Sequence, residues 1–297
     1  MRLPAVLVLT ALGVIGLTGA SVPVSGRQQT VVDYQSLMTT PVWLHNGARQ
    51  VSQGTGFFYA NMRGDVADAV FLVTNYHVVT GHAPESTAPR MGDRIRFALH
   101  QDEYDLEKFA HYEMPLYDAR GAPIWVQSTE FPKADLVLVP LPKQPVPLRV
   151  FTEDHTRTDL KIRASSAVTL LGYPYGFFDQ RHLLPIWKTG HVATEPDVDF
   201  EGDPTFLVDV SAFPGMSGSP VLAVMAGIYE GEDGVMRSGR VRKLLGIFSA
   251  MPVVNRPGRA TSADTGQAAP STSISLQLGY VWKSALIVDI ARRYQPR

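Results

Sequence analysis

From Val32 onward the apolar residues of this chain come in short runs divided by Gly, Pro, Asn and Asp, which limits it to a strand-rich fold. The expected strands of the first half are Thr40–Leu44, Gly54–Tyr59, Ala69–Asn75, Ile95–Leu99, Pro123–Val126 and Ala134–Pro140. Those of the second half are Ala167–Leu171, Gly190–Ala193, Phe206–Val210, Pro220–Val224, Lys243–Ser249 and Leu278–Trp282. Between them, Asn61–Asp65 and Glu230–Gly234 are turn chemistry. His100–Arg120 is charged and reads as a surface excursion with a short helix near Leu106–Phe109. Pro140–Pro147 is the most proline-dense segment and reads as the link between two halves, 32–147 and 148–297. Arg256–Ser273 is poor in large apolar residues and reads as a mobile insertion loop. Ser284 offers an N-cap for a helix over Ala285–Arg293 that buries Leu286, Ile287, Ile290 and Ala291. The class that follows is an all-β protein of two barrels with one terminal helix.

Several functions are disfavoured at once. The 297 residues carry a net charge of −1 without a basic run, so nucleic acid is not an expected partner. Cysteine is absent, which removes disulfides, thiolate catalysis and Cys-ligated zinc. Met1-Arg2 followed by the apolar Leu3–Leu17 and the small residues Thr18-Gly19-Ala20 has the plan of a signal peptide over 1–20, cleaved after Ala20. A polar segment over 21–31 follows, and the mature protein is expected to be secreted or periplasmic. An uncleaved membrane anchor is the alternative, although the apolar run is short for a span.

The segment Phe213-Pro214-Gly215-Met216-Ser217-Gly218-Ser219-Pro220 sets a serine between glycines just before an apolar strand. Glycine permits φ > 0 and close approach, so the amides of Gly215 and Ser217 can face one point above the Ser217 hydroxyl, as in an oxyanion hole. An ordinary turn entering a strand has the same composition. The nucleophile elbow of α/β-hydrolases needs glycine two places to either side, and Ser219 occupies the second place. A serine nucleophile needs a base, and His77 stands where a buried strand breaks. The imidazole in turn needs an orienting carboxylate, and Asp135 opens an apolar strand where an unpaired acid is costly.

The order His77, Asp135, Ser217 is that of the chymotrypsin-like triad. Thr74-Asn75-Tyr76-His77-Val78-Val79 resembles the histidine motif of bacterial trypsin-like serine peptidases. Ala134-Asp135-Leu136-Val137-Leu138 resembles their aspartate motif, and Gly215-Met216-Ser217-Gly218-Ser219-Pro220 their serine motif. The likeness runs from about Gly54 to the terminal helix. It implies two six-stranded barrels, with His77 and Asp135 from the first and Ser217 from the second. It also implies oxyanion donors at Gly215 and Ser217. Leu245–Met251 resembles the strand along which a substrate pairs, giving Phe248, Ser249, Ala250 and Met251 as substrate-binding candidates. The resemblance makes Ser249 a support for Asp135 and puts Ser211 near the base of the specificity pocket. Two residues depart from the pattern: Met216 stands where the digestive branch has an aspartate, and Met251 where glycine is frequent. An activation switch of the zymogen kind is therefore not expected. The residues after Met251 are also too few for an appended PDZ domain.

Asp197–Asp203 resembles the opening of a calcium loop, but Val208 stands where the bidentate Glu is needed, and a solvated acidic loop is the reading preferred. Gly172–Phe178 either lines the cleft or is a packed aromatic turn. His100, His111, His155, His182 and His191 lack metal-ligand spacing. The expectation is an exported serine endopeptidase without metal or cofactor, acting on peptides or proteins. The alternatives are a silent or latent peptide-binding protein on the same fold, and an esterase.

Overall fold

The computed structural model describes residues 32–142, 148–257 and 271–295. The expected signal peptide, most of the proline-rich link and the middle of the expected insertion loop lie outside them.

The first half begins with a short helix, α1 (Tyr34–Leu37), and builds one antiparallel sheet. Its strands are β1 (Thr39–Asn46), β2 (Arg49–Arg63), β3 (Val66–Thr74), β4 (Arg94–His100), β5 (Phe109–Pro115) and β6 (Val137–Pro140). Their order is β5-β4-β1-β2-β3-β6, and the turn of helix α2 (Tyr76–Thr80) follows β3. The second half opens with helix α3 (Glu153–Thr156) and strands β7 (Ala167–Gly172), β8 (Ile186–Val192) and β9 (Thr205–Asp209). The long hairpin of β10 (Pro220–Glu230) and β11 (Met236–Phe248) follows. A separate two-stranded ribbon of β12 (Val253–Pro257) and β13 (Ser271–Ser275) leads to β14 (Leu278–Lys283) and helix α4 (Ser284–Arg293). Here the sheet closes into a barrel, β10-β11-β14-β9-β8-β7.

The unbroken apolar runs arise because the central strands bury both faces. Successive side chains of a strand point to opposite sides. Phe58 and Leu72 therefore face the interior of the first sheet with Val42, Ile95 and Phe97. Phe57, Tyr59, Phe71 and Val73 face the other way, into a cluster shared with Leu171, Leu222 and Ile247 of the second barrel. Helix α4 caps that shared cluster with Leu286, Ile287, Ile290 and Ala291, the face its periodicity required. The second barrel has its own interior of Val168, Val208, Val221, Ala223 and Val281.

Four local expectations are corrected. Phe109–Pro115 is an edge strand, because Tyr112 and Met114 pack inward while His111 and Glu113 point to solvent. Pro123–Val126 is not a strand; it makes only the isolated bridges Tyr117–Pro123 and Val126–Leu138. Its Trp125 fills space edge-on against Tyr117 and Tyr76, at 5.4 and 6.1 Å between centroids. The ends of the expected insertion loop pair as the β12–β13 ribbon. Ser284 is the first helical residue, preceded by Lys283 at the cap position.

Candidate active site

His77 lies in the first turn of α2, where β3 ends and Asn75 begins the helix. Gly81 closes that turn in the left-handed region, at φ 80°, with its amide donating to the His77 carbonyl at 2.8 Å. Asp135 sits just ahead of β6, between the buried Ala134 and Leu136. The two residues are joined repeatedly. His77 Nδ1 donates to Asp135 Oδ2 at 2.6 Å, and the His77 amide donates to Oδ1 at 3.0 Å. The Ser249 hydroxyl donates to Oδ2 at 2.5 Å, and the Asn75 side-chain amide to the Asp135 carbonyl at 2.6 Å. Burial pushes the Asp135 carboxyl up, but the hydrogen bonds from His77 and Ser249 outweigh it and hold the group below the usual carboxylate range. The imidazole keeps a third of its side-chain surface exposed, and no hydrogen bond is made by its Nε2 among the described residues.

The serine loop is held by its backbone. Gly215 and Gly218 have φ of +96° and +91°, conformations that only glycine adopts cheaply. A Cβ on Gly218 would lie 1.8 Å from the Thr55 carbonyl oxygen. Met216 is fully buried among Val210, Ala212, Val221 and Phe248, so apolar packing fixes the loop where the digestive branch uses an ion pair. The amides of Gly215 and Ser217 have no acceptor among the described residues. The Ser217 hydroxyl donates to the Ser249 carbonyl at 3.0 Å, and no hydrogen bond joins it to His77.

A cavity of about 550 Å³ brings together His77, Asp135, Ser217, Ser249 and Ala250. Phe200, Glu201, Asp203, Tyr280 and Trp282 also line it. Ser211, Phe248 and Met251 are outside this lining. Ser211 is exposed, and the Phe248 side chain is buried in the barrel interior, with its carbonyl accepting from Gly218 and its amide donating to Ser219, both at 2.9 Å. Met251 packs partly against that interior, and its amide and carbonyl make no hydrogen bond among the described residues. That leaves a free backbone edge beside Ser249 and Ala250.

The segments that admitted two readings now have places. Gly172–Phe178 backs the serine loop: Tyr173 is buried, with its hydroxyl donating to the Thr39 carbonyl at 3.0 Å, while Tyr175 and Phe177 are exposed. In Asp197–Asp203, Asp199 pairs with Lys283 at 2.6 Å, and Phe200, Glu201 and Asp203 face the cavity. His155 accepts from the Thr152 amide at 3.1 Å, and His182 donates to Asp179 at 2.7 Å. Thr55 and Asn75 are functional candidates that motif reading passed over. Gly54 beside Thr55 was the available signal, since a Cβ there would lie 3.0 Å from the Ser217 carbonyl oxygen, and its absence lets β2 run close beneath the serine loop.

The model of the trypsin-like peptidase domain matches residues 54–227, more than half of the 297-residue chain and a span that includes His77, Asp135 and Ser217. The chain belongs to the trypsin-like peptidase family. Among solved structures, this trypsin-like peptidase is similar to a serine endoprotease from Yersinia pestis. The two are 14% identical, with 89% of this chain and 68% of that one covered and a TM-score of 0.44. It is also similar to an M. tuberculosis protease in its active form, at 16% identity, 89% and 84% coverage and a TM-score of 0.43. For the inactive form of that protease the values are 15%, 88% and 91%, and 0.43. No curated protein matches the sequence.

Proposed function

We propose that this member of the trypsin-like peptidase family is an exported serine endopeptidase that works through His77, Asp135 and Ser217. The observation that carries the reading is the 2.6 Å contact between His77 Nδ1 and Asp135 Oδ2, on the same cavity as the Ser217 hydroxyl and beside two unpartnered amides. Asp135 holds the ring with its proton on Nδ1, which leaves Nε2 as the base. Ser217 turns from the Ser249 carbonyl toward Nε2, gives up its proton and attacks the scissile carbonyl carbon. The carbonyl π pair moves onto oxygen, where the Gly215 and Ser217 amides receive it. His77 then protonates the departing amine as the C–N bond breaks, leaving an acyl-Ser217 ester. Water repeats the sequence: it loses its proton to His77, attacks the ester and releases the carboxylic acid with Ser217 restored. The free amide and carbonyl of Met251 suit pairing with an extended substrate backbone.

Export is proposed from the basic start, apolar run and small-residue site of residues 1–20. No helix among the described residues is long and apolar enough to cross a membrane. One observation favours a second reading, a latent or silent peptide-binding protein: the Ser217 hydroxyl is bonded to Ser249 and not to His77. Labelling with a serine-directed phosphonate separates the two readings. The peptidase reading expects one adduct, mapped to Ser217 and lost in Ser217→Ala and His77→Ala. A wild type that resists labelling while binding peptides supports the second reading.

A further inference from the structure

The serine loop is bonded twice by a residue of the other half of the molecule, Thr55. In a trans peptide the C=O and N–H point in opposite directions, so pinning a carbonyl on one side aims the amide of that plane to the other. Pro214, Gly215, Met216 and Ser217 each have their carbonyl pinned. Tyr175 donates its amide to Pro214 at 2.6 Å, and Ser219 donates its own to Met216 at 3.0 Å. The other two carbonyls both accept from Thr55, Gly215 from its hydroxyl and Ser217 from its amide, each at 2.8 Å. The first and third of these planes carry the Gly215 and Ser217 amides, which stay free on the opposite side.

Thr55 is fully buried on β2, and its own carbonyl accepts from the Thr74 hydroxyl at 2.7 Å, one residue before Asn75 and three before His77. Its hydroxyl also accepts from the Tyr173 amide at 3.2 Å, two residues before the Tyr175 amide that pins Pro214. Thr55 thus ties three segments together: its carbonyl joins the strand leading toward the histidine, and its hydroxyl joins the 172–178 loop to the serine loop. Glycine at φ +96° has little intrinsic barrier to flipping the Pro214–Gly215 plane and turning its amide away, and Thr55 acts on that plane through the 172–178 loop, whose Tyr175 amide holds the Pro214 carbonyl.

We infer that the Thr55 hydroxyl is a positioning residue for the oxyanion site: it fixes the Gly215–Met216 plane through the Gly215 carbonyl and, by accepting from the Tyr173 amide, the loop whose Tyr175 amide pins the Pro214 carbonyl and so holds the Gly215 amide toward the substrate. The inference rests on the peptidase reading, since it assigns those amides to an oxyanion. Thr55→Val replaces the hydroxyl with a methyl of the same shape and leaves both backbone bonds of Thr55 in place. Its kcat should fall about tenfold to a hundredfold, less than the roughly 10²–10³ of losing a donor outright, with KM within about twofold. Thr55→Ser keeps the hydroxyl and should restore kcat to within about threefold. Affinity for a peptide aldehyde, which forms an oxyanion-bearing adduct on Ser217, should drop with kcat in Thr55→Val, while affinity for the matching peptide alcohol should not. Wild-type kcat in Thr55→Val overturns the inference, as does equal loss in Thr55→Val and Thr55→Ser. A wild type without turnover contradicts the peptidase reading instead, and the Gly215 amide resonance then decides the latch. A signal shifted in Thr55→Val and unshifted in Thr55→Ser supports it, and identical spectra overturn it.

Discussion

The two halves of the candidate site are held in different ways. His77 and Asp135 are locked by side-chain chemistry: four hydrogen bonds converge on Asp135, from the His77 ring and amide, the Ser249 hydroxyl and the Asn75 amide. Ser217 is held through main-chain carbonyls and two glycines at positive φ, and its hydroxyl still points to Ser249. In the proposed reaction the His77 base is thus preset, whereas Ser217 needs a side-chain rotation, and its loop owes its shape to contacts from elsewhere in the molecule. A substitution on the histidine side should change chemistry at a constant fold, whereas one under the serine loop should change loop geometry first.

The largest effect that tests this contrast is Asp135→Asn. It should lower turnover by about 10⁴-fold through the wrong imidazole tautomer, with the folded content seen by circular dichroism unchanged. Near-wild-type turnover would mean that the carboxylate does not orient His77. Gly218→Ala should act from the other side: a Cβ 1.8 Å from the Thr55 carbonyl forces the loop to shift. The expected cost is about 2 kcal/mol or more in denaturant unfolding, together with lost activity. A stable, active variant would show that the loop does not depend on this close approach.

Acid should expose the first half selectively. The folded Asp135 carboxyl lies below its unfolded value, so its contribution to stability is present above the ordinary carboxylate pKa of about 3.9 and is lost as pH falls through the folded value. The melting temperature of wild type should therefore fall more steeply below about pH 4 than that of Asp135→Asn. Parallel curves would assign the acid loss to other carboxylates. The smallest effect is Ser249→Ala, which removes one donor to Asp135 and keeps the carbonyl that holds Ser217. It should cost about 1 kcal/mol of stability and a few-fold in kcat.

Much of this arrangement is legible in the sequence. Short apolar runs mark most of the strands; His77 and Asp135 stand out because they break or open such a run, and Ser217 because it sits between glycines just ahead of one. Ser249, named as a support for Asp135, does bond to it. What stayed hidden depends on contacts between distant positions. The Thr55 hydroxyl and the Gly215 carbonyl are separated by 160 positions, and Gly54 beside Thr55 marks a close approach without naming its partner. Phe109–Pro115 was masked because the charged face of an edge strand looks like a loop in sequence. The resemblance gives Phe248 as a contact for substrate, but strand alternation turns its ring into the barrel and leaves its backbone bonded to Gly218 and Ser219. Nor did residue type alone show that Glu201 and Asp203 share a cavity with Ser217.

The most direct test of a Ser217-dependent peptidase is to incubate the protein and its Ser217→Ala variant with a diverse peptide pool and read the products by mass spectrometry. Cleavage by the wild type alone is the expected result, and the cut sites would give the side-chain preference in the same experiment. Equal cleavage by both proteins, or by neither, would contradict Ser217 as the working nucleophile.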